Sequence, residues 1–117
     1  MAPRPGPLRE IVVPVAKLVD YLLNREHPKG RGKAKFLAQF GFGSDALEVL
    51  AEALVRHLDD HGVAAVAEGD WGLILHAEGP LVTPSGACPM VRTVWIVKPG
   101  RGDTATFVTL KPLPKRS

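Results

Sequence analysis

Val91–Lys98 reads VRTVWIVK. Val91, Thr93, Trp95 and Val97 alternate with Arg92, Val94, Ile96 and Lys98, so in an extended chain the two sets line opposite faces. β-Branched and aromatic residues fill the run, and a pleated strand suits them. Turn-formers bound it, TPSGACP before and PGRGD after. Working outward, the same pattern predicts strands over Val63–Glu68, Leu73–Glu78 and Thr104–Leu110, with GDWG turning between the first two. Short connections of this kind favour an antiparallel meander.

Before Gly62 the period changes. Pro14 stands where a helix can open, since its missing N–H costs nothing in a first turn. Val15, Leu18, Val19, Leu22 and Leu23 recur at helical spacing, predicting a first helix to about Asn24. HPKGRG breaks it, and Lys33–Phe40 forms a second, short helix that Gly41 and Gly43 end. Ser44 as N-cap and Asp45 in the first turn open a third helix, from Asp45 to about His61. It buries Leu47, Leu50, Ala51, Leu54 and Leu58, and Gly62 stops it. Ile11–Val13 reads as a short strand or an extended lead-in. Helices first and strands after give an α+β fold, with about three N-terminal helices on one face of a four-stranded, mainly antiparallel sheet.

A chain of 117 residues, 45% of them hydrophobic, can bury a core as a single domain. That domain is expected over residues 10–112, between a disordered tail, 1–9, and a basic tail, 113–117. The lone Cys88 supports neither an internal disulfide nor a cysteine zinc cluster. MAPRPGPLRE lacks the apolar segment of a secretory signal, and no apolar run approaches the ~20 residues of a membrane span. A soluble, cytoplasmic protein without a membrane partner is the expectation.

The net charge of +3 is mild, but it is unevenly spread. Arg25, Lys29, Arg31, Lys33 and Lys35 crowd Asn24–Lys35 against Glu26; Lys111, Lys115 and Arg116 form a second cluster near the C-terminus, and the acids gather between Asp45 and Asp70. One anion-attracting face follows, with nucleic acid the commonest candidate; a solvated loop and a frayed tail would read the same way.

Several residues invite a chemical role beside a plainer one. His57 and His61 are one helical turn apart, as metal ligands can be, but HLDDH lacks the glutamate of HExxH and the macrodipole alone favours histidines there. GFGSD has no Walker lysine, so helix capping explains it better than phosphate binding. Cys88 has no base nearby in sequence. His76, on a strand, faces a cleft or is structural, with the structural role the default. Trp71 and Trp95 read as core or edge aromatics. No metal and no cofactor are implied. His27 is different: it follows a helix end, among cations, in a loop whose path proline and glycine restrict. An acid/base beside cations is what metal-independent RNA cleavage requires, whereas His27 as a helix cap among solvated lysines is the plainer role.

Lys17-Leu18, Tyr21-Leu22-Leu23-Asn24, His27-Pro28, Gly30, Lys33-Ala34 and Phe36, followed by Gly41-Phe42, Gly79-Pro80, Val91 to Ile96, Val108-Thr109 and Pro112, resemble the pattern of a family of uncharacterised small bacterial domains. The resemblance covers roughly residues 11–112; the last strand departs from it, with no aromatic before Pro112. Such domains occur in toxin and toxin–antitoxin settings, and their layout is similar to the barnase/EndoU/colicin/RelE group of ribonucleases.

The resemblance implies catalytic residues among His27, Lys33, Arg92, Thr93 and Thr109. His27 would act as acid or base, Lys33 and Arg92 would hold the phosphate, and Thr93 or Thr109 would donate to it. Arg92 and Thr93 point to opposite faces, so only one can line a cleft. Asn24, Arg31, Lys35 and Lys111 would bind substrate. The expected activity is a toxin-like endoribonuclease cleaving RNA by 2′-hydroxyl attack, silenced by a cognate antitoxin or immunity protein. The alternative is a non-catalytic protein-interaction module: the neutralising partner in such a pair, or an accessory domain of a larger protein.

Overall fold

A computed structural model describes residues 8–18, 31–42, 47–100 and 102–113. Strands β1 (Glu10–Val12), β2 (Ala65–Gly69), β3 (Gly72–Pro80), β4 (Met90–Val97) and β5 (Thr104–Pro112) form one sheet in the order β1-β5-β4-β3-β2. The four later strands make the expected antiparallel meander. The expected four-stranded sheet is corrected to a five-stranded mixed one, because β1 pairs in parallel with β5, Glu10 opposite Thr104 and Val12 opposite Thr106. The paired chain also starts before Glu10, with the Arg9 N–H donating to the Asp103 carbonyl.

The three expected helices are likewise corrected. Among the described residues two substantial ones appear, α2 (Arg31–Gln39) and α3 (Leu47–His61), after a single turn, α1 (Val15–Lys17). The rest of the first expected helix, and the Ser44 cap, lie outside the described residues. Gly41 ends α2 at φ +93°, a value favouring glycine. Gly41 N–H donates to Ala38 and Phe42 N–H to Leu37, the paired bonds of a Schellman end, and Phe42 is buried behind them.

Leu50, Leu54 and Leu58 of α3, with Leu37 of α2, pack on one face of the sheet against Leu75, Ala77, Val91, Trp95, Val97, Ala105, Phe107 and Leu110. The alternate residues Ile74, His76, Glu78, Arg92, Ile96 and Thr106 lie outside that core, and Val94 among them is buried at 9% exposure without joining it. Helices thus cover one face, and among the described residues none covers the other. No described helix is long and apolar enough to cross a membrane.

Candidate functional site

The face opposite the helices owes its composition to one irregularity. Trp95 lies opposite Phe107, but the next pair is Val94 with Thr109, leaving Val108 as an extra residue in β5. A bulge of this kind reverses which side chains face which way. It turns Leu110 into the core and brings Thr109 and Lys111 to the open face with Arg92 and Val94.

Two rows of register partners cross that face. One runs Ala65, His76, Val94, Thr109, and the next Glu78, Arg92, Lys111. Directly opposed side chains start about 4.5–5.5 Å apart and diagonal ones about 7–8 Å. His76, Arg92, Glu78, Thr109 and Lys111 therefore form one neighbourhood. Arg92 Nη2 donates to Glu78 Oε2 at 3.2 Å, both side chains being about one-third exposed. Arg92 Nε is buried and bonds to nothing among the described residues. Among the described residues the guanidinium is held by one carboxylate. An imidazole, a carboxylate and two cations on one face of a sheet are groups that can move protons and hold a phosphodiester.

Thr93 is corrected as a cleft residue. It lies on the buried face, where its hydroxyl is 2.9 Å from both Trp95 Nε1 and His57 Nδ1. The roles follow from the far side of the imidazole. His57 Nε2 is 3.0 Å from the Gly79 carbonyl, which can only accept, so Nε2 carries the proton. In the neutral ring Nδ1 then accepts from Thr93, which in turn accepts from Trp95. Burial holds the His57 pKa below the usual imidazole value; the Gly79 bond opposes this and the neighbouring His61 adds to it.

His61 Nε2 bonds to the Pro80 carbonyl at 2.9 Å, with its ring edge-on to His57 at 4.8 Å. The pair clamps the end of α3 to the end of β3. No group of histidine, cysteine and carboxylate side chains suited to a metal ion occurs among the described residues.

Of the remaining site expectations, Asn24 and His27 lie outside the described residues. Arg31 and Lys33 are placed as positions on α2, and Lys35 is exposed there. Leu37 of the same helix belongs to the core. Cys88 is exposed. His76 and Glu78 are the additions. The signal was their period-2 spacing on a strand, but which face they share depends on pairing that the local sequence does not state.

These features define an α+β domain with helices packed on one face of its sheet and a polar-lined opposite face that no described helix covers. Residues 5–114 match the family described as Domain of unknown function (DUF6883), and the chain belongs to it. Its fold is similar to a chain of a solved contact-dependent growth inhibition toxin–immunity protein complex from Klebsiella pneumoniae 342, with a TM-score of 0.71 and 21% identity, covering 89% of this chain and 94% of that one. No curated protein matches the chain.

Proposed function

We propose that this domain is a toxin-type, metal-independent endoribonuclease acting at the open face of its sheet and neutralised by a cognate immunity or antitoxin protein. The observation that carries the reading is the register that groups His76, Arg92, Glu78, Thr109 and Lys111 on that face. Arg92 and Lys111 bind the scissile phosphate and offset charge developing in the pentavalent transition state. Thr109 adds a hydroxyl toward the same phosphate. His76 and Glu78 form the acid–base pair. One accepts the 2′-hydroxyl proton as that oxygen attacks phosphorus, the other protonates the departing 5′-oxygen, and a 2′,3′-cyclic phosphate results. His27 and Lys33, implied by the resemblance, are second-rank candidates for the same work. The fold likeness to a toxin–immunity complex supports the setting.

Incubation with RNA in EDTA tests the proposal. The wild-type protein is expected to release fragments ending in cyclic phosphate, and His76→Ala to lose about 10²–10⁴-fold in rate. Intact RNA after prolonged incubation with the wild type sinks the nuclease reading. The interaction-module reading then stands, and it predicts instead that open-face substitutions weaken a protein complex.

A further inference from the structure

We infer that the free edge of β2 pairs with β2 of a second copy of this chain, joining two sheets into one across a two-fold axis. β2 ends the sheet, and nearly all its residues are exposed. The direction of its free backbone groups is legible. Ala64 N–H donates to the His76 carbonyl, so His76 turns its backbone toward β2. Ala65, opposite His76, is then bonded to β3, as are Ala67 and Gly69, whereas Val66 and Glu68 direct N–H and C=O outward. Such a row is a template for another strand. No proline or lysine blocks it.

What selects a second copy as occupant is the self-complementarity of the edge. Antiparallel pairing centred on Ala67 sets Val66 against Glu68 of the other copy, so the outward groups of each meet. The same register avoids placing the two Glu68 carboxylates directly opposite one another. It also carries Trp71, at the β2–β3 turn and 79% exposed, toward Val63 of the other copy, itself 37% exposed. A two-fold axis makes that apolar contact twice. One short strand pair buries little area, so the dimer is weak and forms at high protein concentration.

Sedimentation of the full chain from micromolar to millimolar concentration tests this. A monomer–dimer equilibrium is expected, weakened about tenfold or more by Trp71→Ala. Glu68→Pro removes an outward N–H without touching the β3 ladder, and should give monomer with unchanged circular dichroism. In a Cys88→Ser background, Ala67→Cys should oxidise to a disulfide-linked dimer, since the two Ala67 positions face each other at the ~4.5 Å of a non-hydrogen-bonded pair. Lys35→Cys in the same background should not. A protein monomeric at millimolar concentration overturns the inference and leaves the edge to a strand of a different chain. So does a dimer indifferent to both edge substitutions, or one that Ala67→Cys fails to cross-link.

Discussion

The Thr93 hydroxyl donates to His57 Nδ1 at 2.9 Å across the core, tying β4 to the last turns of α3. It also accepts the Trp95 indole N–H, so removing it strands two buried polar groups at once. Each costs about 1–3 kcal/mol when left unpaired. Thr93→Val, close in shape, should therefore lower unfolding free energy by about 2–4 kcal/mol in urea titration, whereas Thr93→Ser should lose far less. Equal losses in the two variants would show that packing, not the hydrogen-bond chain, is what matters.

The same chain sets a pH dependence. Burial depresses the His57 pKa in the folded state, so the fold favours the neutral ring. The unfolded chain binds its proton first as pH falls, and stability drops with it. The contribution is whole above about pH 6.5, the ordinary imidazole value, and is lost as pH falls from there through the folded pKa. One proton sets a limiting slope of about 1.4 kcal/mol per pH unit. Urea midpoints at stepped pH values should show wild type declining below pH 6.5 more steeply than His57→Gln. Parallel curves would remove His57 as the source.

His57 also shows how much of the site was legible. Leu50, Leu54, His57 and Leu58 follow the helical stripe, so its burial was written in the same spacing that found the leucines. A histidine carries no such label, and the neighbouring aspartates and His61 suggested a metal pair. One-sided burial prints a period of two, so the four strands of the meander were readable, their ends to within about two residues. β1 was readable over Ile11–Val13 only as a short strand or a lead-in, because its pairing with a strand far along the chain leaves no local pattern. The bulge did leave one: Phe107 and Leu110 are both buried yet three apart, which a regular strand forbids. Missing it hides why Thr109 and Lys111 share a face with Arg92.

Gly79 has a steric duty that a strand position does not advertise. A Cβ there would lie 2.6–2.8 Å from the His61 ring, which itself bonds to Pro80. Gly79→Ala should displace that ring and cost about 1–3 kcal/mol. His61→Ala empties the space, so the double variant Gly79→Ala/His61→Ala should be no less stable than His61→Ala alone. A full, additive loss in the double variant would place the strain elsewhere.

The Arg92–Glu78 pair separates a structural from a functional role for the open face. An ion pair about one-third exposed contributes about 0–1 kcal/mol, so Glu78→Gln and Arg92→Ala should barely move the urea midpoint. Both should nevertheless suppress RNA cleavage, Arg92→Ala by lost phosphate binding and Glu78→Gln by lost proton transfer. Lys111→Ala should weaken RNA binding across sequences and reduce the salt slope by about one. His27→Ala, assayed beside His76→Ala, decides which imidazole is used. Loss only in His76→Ala assigns the chemistry to the open face, loss only in His27→Ala returns it to the basic segment, and loss in both, with stability kept, makes the two histidines the acid and the base. In that last case the protonating pair would span the Asn24–Lys35 segment and β3, and Glu78→Gln should then retain cleavage.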